Sequence, residues 1–164
     1  MTTEQAPVPD RSDVEAALGR MVYQAASLET VMRFSGEMLS ATEQESKALV
    51  NKTAGTLLPA VQAIVDGHPQ VTEAERGELA RIIADAGPHL TSRNTYIHGA
   101  WGEVDGTLMA INRRKNGFRT RPLVVTDLDV LSGVLQELVN RTFEWLYPVL
   151  QRTHPDVFGG DASA

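Results

Sequence analysis

The stretch Ser12–Leu39, SDVEAALGRMVYQAASLETVMRFSGEML, decides the fold class. Apolar or small residues recur at Val14, Leu18, Met21, Ala25, Leu28, Met32, Ser35 and Leu39. The steps alternate four and three, which gathers them on one face of a single long helix that packs against other helices. Ser12-Asp13-Val14-Glu15 reads as a capping box, serine and glutamate each meeting an orphan amide of the first turn. Before it, residues 1–11 carry two prolines and no periodicity and read as a disordered tail.

Working outward, Thr42-Glu43-Gln44-Glu45 is a second capping box. The helix it opens is expected to kink or end at Pro59, with Gly67 and Pro69 closing the segment. Thr72-Glu73-Ala74-Glu75 is a third box, before a helix that carries Leu79, Ile82 and Ile83. Gly87-Pro88 is expected to interrupt that helix, a short one restarting there and running to His98. Gly99 is expected to supply a terminating positive φ. From residue 101 to 126 the character changes. Asp105-Gly106 and Asn116-Gly117 are hairpin turn pairs, and Leu108–Ile111 and Leu123–Val125 have strand character. Thr126-Asp127-Leu128-Asp129 then caps a last helix with Leu128, Leu131, Leu135, Leu138, Thr142, Trp145 or Leu146, and Val149 on one face. Residues 153–164, with His154-Pro155 and Gly159-Gly160, read as a flexible tail. The expectation is an all-α bundle of four to five helices over residues 12–152, with a small β-hairpin inserted at 101–126.

Composition bounds the function. The chain has 164 residues, 42% hydrophobic and 22% charged, which suits one domain with a real core. It has no cysteine, so disulfides, thiolate metal sites and cysteine nucleophiles are excluded. No charged-then-apolar leader opens the chain and no apolar run reaches membrane-span length, so a soluble cytoplasmic protein without a membrane partner is expected. A net charge of −6 argues against a general nucleic-acid coat. The charge is uneven, however: Arg113, Arg114, Lys115, Arg119 and Arg121 fall within Thr107–Pro122 with no acid among them. Such a basic arm suits a specific RNA contact or an acidic partner, and a solvated loop accounts for it nearly as well.

The chemistry-bearing stretch is Arg93-Asn94-Thr95-Tyr96-Ile97-His98-Gly99-Ala100-Trp101. An arginine fork holds a phosphate through paired hydrogen bonds, and an imidazole moves protons near neutral pH. Asn94 and His98 lie four residues apart and share a helix face. Arg93 points about a quarter-turn away, so convergence with His98 needs a frayed helix end or a second subunit. The bland alternatives are a helix-terminal His98 favoured by the dipole, a surface ion pair for Arg93 and a backbone contact for Asn94. Glu29 is an accessory candidate, as a hydrogen-bond partner for Arg93 or a group that senses protonation of His98, or else a solvated flank residue. Tyr96 can stack on a base or pack in the core, and Trp101 is expected to lock the hairpin onto the bundle. His89, four residues before Arg93, is a further accessory candidate. His68 and His154 precede prolines and read as loop residues. No histidine pair has metal-ligand spacing, and phosphate loops and dinucleotide fingerprints are absent, so no metal and no cofactor are expected.

Arg93, Asn94 and His98, with four residues between arginine and histidine, resemble the motif of the HEPN superfamily, helical bundles of bacterial toxins and antiviral ribonucleases. The continuation His98-Gly99-Ala100-Trp101 is similar to members with a hairpin after the motif, and Leu28-Glu29 is similar to a leucine-glutamate pair in their first long helix. The resemblance extends from about Ser12 to Leu150 in order of elements; its sharp part is about nine residues. It implies a metal-independent endoribonuclease, a toxin or phage-defence component that forms a homodimer with a composite site and can have an antitoxin partner. His98 would be the acid-base group, Arg93 would hold the scissile phosphate, and Asn94 would orient the catalytic groups or bind the phosphate. The five hairpin cations would bind RNA. Two other readings stay open: an inert dimeric binding module of the same fold, and a helical adaptor that docks through its basic hairpin.

Overall fold

The computed structural model describes residues 10–104, 107–115 and 117–159. Most of the expected 1–11 tail, the Asp105-Gly106 turn, Asn116 and the last residues of the 153–164 tail lie outside the described residues. The order is α1 (Arg11–Leu39), α2 (Glu43–Lys47), α3 (Ala54–Gly67), α4 (Glu73–Ile97), β1 (Ala100–Val104), β2 (Thr107–Arg114), β3 (Gly117–Pro122), α5 (Val125–Thr153) and α6 (Pro155–Phe158). This is a helical bundle with a small antiparallel sheet inserted after the Arg93–His98 stretch.

The four long helices close a ring: α1 packs on α3 and α5, and α4 on α3 and α5, with α1 against α5 the largest contact. The predicted stripe of α1 is the buried one, from Val14 through Met21, Leu28 and Met32 to Leu39. It meets Leu128, Leu135, Leu138, Leu146 and Val149 of α5, Leu57 and Val61 of α3, and Leu79 and Ile82 of α4 in one continuous core. Gly36 lets α1 and α3 approach, because a Cβ there would lie 2.6 Å from Leu49 Cδ1 and 3.0 Å from Val61 Cγ2.

Several local expectations are corrected. Asp10, not Ser12, caps α1, accepting from the Ser12 amide, so the ordered chain reaches back into the expected tail. The helix opened by Thr42 stops at Lys47, and a separate helix begins at Ala54. Arg33 explains that break: its guanidinium donates to the carbonyls of Leu49 (3.2 Å) and Lys52 (3.1 Å), meeting acceptors a continuous helix would have paired. Pro59 and Pro88 lie inside unbroken α3 and α4, as Pro148 does inside α5. The first expectation was a kink or end, the second an interruption. Pro59, Pro88 and Pro148 and the residues four before them, Gly55, Ala84 and Glu144, are exposed, so each carbonyl freed by a missing amide faces solvent.

The insert has three strands in the order β1-β2-β3 rather than a two-stranded hairpin, with Trp101 opposite Ala110 and Ala110 opposite Arg121. Its third strand is Gly117–Pro122; Leu123–Val125 turns into α5, which starts at Val125 without a side-chain cap, not at a Thr126 cap. Residues 155–158 of the expected tail form α6, whose Phe158 packs on the core. Among the described residues, no helix is long and apolar enough to cross a membrane.

Candidate functional site

An α-helix leaves amides in its first turn and carbonyls in its last turn without intrahelical partners, and the two ends of α4 meet these needs differently. Its start carries a full capping box: the Thr72 hydroxyl accepts from the Glu75 amide and the Glu75 carboxylate from the Thr72 amide (2.8 Å). Its end is closed by the sheet. Asn112 of β2 is buried and donates its Nδ2 to the Thr95 carbonyl at 2.7 Å, and the Trp101 indole donates to the Tyr96 carbonyl at 3.0 Å. Trp101 thus fastens the insert to the bundle, as its position suggested. Gly99 does not take a positive φ; among the described residues that backbone belongs to Gly117. Gly99 is needed for proximity instead, since a Cβ there would sit 3.1 Å from the Ile111 carbonyl oxygen and from Asn112 Nδ2.

On this scaffold Arg93 points inward. Its side chain is 15% exposed, with Nη2 3.1 Å from Glu29 Oε1 of α1, whose side chain is 19% exposed. The pair balances charge without hydrogen-bond alignment, because Glu29 Oε1 and Arg93 Nε are buried with no hydrogen-bond partner among the described residues. Arg93 Nη1 donates to Asn94 Oδ1 at 2.8 Å. Asn94 is exposed and borders a groove of about 310 Å³ between α3 and α4, where Gly55 and Gly87 leave the wall without side chains. His98 caps the helix, its amide donating to the Asn94 carbonyl, and it is exposed. The structure therefore joins Glu29, Arg93 and Asn94 and leaves His98 one turn beyond, outside the linked set.

The other candidates divide. Tyr96 is fully buried, so it is a packing residue rather than a stacking platform. Its ring lies under the Arg121 guanidinium, 4.6 Å from its centre, and its hydroxyl has no hydrogen-bond partner among the described residues. Burial pushes the Tyr96 hydroxyl above its usual value, Arg121 pulling it down and Asp127 pushing it up. Arg121 also reaches the Ser92 hydroxyl at 3.5 Å, so it belongs to this flank of α4 rather than to the strand tip. His89 lines the same flank and does not join His98. Arg113, Lys115 and Arg119 are exposed beyond it, and Arg114 sits opposite Gly117 at the end of the β2–β3 ladder.

Sequence reasoning missed Asn112, Ser92 and Asp127. Asparagine is depleted within strands, so its place directly after Leu108–Ile111 was the one available sign. Among the described residues, no three His, Asp or Glu side chains are grouped to hold a metal ion. Comparison with protein-family models, curated proteins and solved structures returns no match.

Proposed function

We propose that this chain is a metal-independent endoribonuclease of the HEPN type, with His98 moving the proton and Arg93 and Asn94 at the phosphate. One observation carries the reading. Of the four buried side-chain polar atoms without a hydrogen-bond partner among the described residues, three belong to Glu29, Arg93 and Tyr96, at or against the last turns of α4. Folded proteins rarely leave such groups unmet, and where they do a functional cause is the first to test. Arg93 retains an unmet donor, and its pairing with Glu29 lacks hydrogen-bond alignment, so a phosphate that outcompetes Glu29 would gain a bidentate contact. The glycine-walled groove beside Asn94 offers room for a nucleic-acid backbone, and the exposed Arg113, Lys115 and Arg119 supply attraction at the adjoining sheet.

The chemistry is attack of an RNA 2′-hydroxyl on the adjacent phosphorus, His98 taking or giving the proton, with departure of the 5′-oxygen and a 2′,3′-cyclic phosphate as product. Arg93 is held inward while His98 stands outside, so the reading calls for a second copy whose exposed His98 is set over this Arg93. Incubation with structured RNA in EDTA tests it. Wild type is expected to leave cyclic phosphate ends, and His98→Ala and Arg93→Ala to be inactive alone yet partly active when mixed. Equal cleavage by wild type and His98→Ala overturns the assignment.

The inert-module reading draws on the same ion pair, because Glu29 and Asn94 already occupy two arms of Arg93. It expects no cleavage by wild type and RNA affinity indifferent to both substitutions.

A further inference from the structure

A second cleft lies on the flank of α4 that carries His89, Ser92 and Tyr96, spaced three and four residues apart and hence on one face. It holds about 280 Å³, below the usual range for drug-sized ligands. Arg121 of β3 supplies one wall and Asp127, in the first turn of α5, another. Val130, Leu131 and Val134 form an apolar side.

The two opposite charges border one cleft without pairing. Among the described residues, Arg121 approaches the Tyr96 hydroxyl without a well-aligned hydrogen bond and reaches the Ser92 hydroxyl at 3.5 Å, the outer limit for such a contact, while Asp127 makes no ion pair. Both charges influence the Tyr96 hydroxyl, itself buried and unmet. A simple anion would meet Arg121 but be repelled by Asp127, and a simple cation would face the reverse. A molecule bearing both charges satisfies both walls at once.

We propose that this cleft binds a small zwitterion, an α-amino acid with a compact apolar side chain. Its carboxylate takes the spare donors of Arg121, its ammonium meets Asp127, and its side chain covers Val130, Leu131 and Val134. Ser92 is placed to join the carboxylate when Arg121 turns toward it, and His89 closes the rim. The site is separate from the His98 chemistry and stands or falls without it.

Calorimetry with three probes tests the idea: L-leucine, 4-methylpentanoate, which lacks the ammonium, and 3-methylbutylamine, which lacks the carboxylate. L-Leucine is expected to bind saturably and about tenfold tighter than either relative, as loss of one charge-assisted contact implies. Arg121→Gln should weaken L-leucine about tenfold. Asp127→Asn, at an exposed position, should weaken L-leucine yet tighten 4-methylpentanoate, a reversal that a merely structural change would not produce. Absence of saturable L-leucine binding to wild type, equal binding of L-leucine and 4-methylpentanoate, or indifference to Asp127→Asn each overturns the proposal.

Discussion

The two ends of α4 are built to opposite standards. At the first, the Thr72–Glu75 box is complete, the Arg152 guanidinium clasps the Glu75 carboxylate (2.7 Å), and the Trp145 indole donates to the Glu75 carbonyl (2.9 Å). At the last, the backbone is closed by Asn112 and Trp101, but the side chains are not: Glu29, Arg93 and Tyr96 each keep a buried polar atom unmet among the described residues. Beside the first end only Gln62 Oε1, on the side chain that reaches the Arg76 carbonyl, is unmet among the described residues, so one helix carries a nearly finished end and an unfinished one. The difference teaches where to look, since stability alone has no use for the second arrangement.

Substitutions can break this contrast. The largest effect belongs to the finished end: Trp145→Ala removes a nearly buried ring and its hydrogen bond and should cost about 3–5 kcal/mol in denaturant unfolding. A loss near that of a surface residue would mean the clasp is ornamental. At the unfinished end, Glu29→Gln leaves the largely buried Arg93 without a counter-charge, and a smaller cost of about 1–3 kcal/mol is expected. Tyr96→Phe should go the other way, raising stability by up to about 1 kcal/mol, because it deletes a hydroxyl with no partner. A clear loss of stability would show that the hydroxyl is satisfied after all.

The smallest effect is one of pH and falls beside the finished end, where His68 accepts from Arg76 through its carbonyl (2.8 Å). Burial, then the like charges of His154, Arg76 and Arg152, hold the His68 imidazole below its ordinary 6.5. The unfolded chain thus takes the proton first as pH falls. Stability is full above about 6.5 and declines as the pH drops toward the lowered folded value. A melting series from pH 7.5 to 5.5 should show a modest fall, flattened in His68→Gln; an unchanged slope in the variant would assign the fall elsewhere.

What could be read beforehand follows the range of the interactions. The α1 stripe and the Thr72 box are local, with repeats or partners three and four residues apart, and both stand as read. The contacts that shape the candidate site are distant in sequence. Arg33 reaches over 16 residues to end α2, Asn112 reaches back 17 to close α4, and Arg121 reaches back 29 to Ser92. No spacing rule announces such pairs. The prolines misled for a related reason: whether a missing amide breaks a helix depends on the face it occupies, and that is settled by packing. Glu29, for which a pairing with Arg93 is one of the readings, lies against it; His89, an accessory candidate for the Arg93–His98 site, lies with Tyr96 and Arg121 instead.

The sheet carries one more consequence. With the order β1-β2-β3, strand β3 is an open edge, a row of backbone groups able to recruit a strand from another molecule. Arg119 and Arg121 alternate along that edge with Phe118 and Thr120, and Pro122 ends it. Repulsion between like-charged edges keeps two copies from zipping together there, so these cations guard solubility whatever else they bind. Replacing both at once with neutral residues to probe RNA affinity would remove that guard and invite aggregation, whereas a single change at Arg121 leaves Arg119 in place, and exchange of both for glutamate reverses the charge and keeps the edge protected.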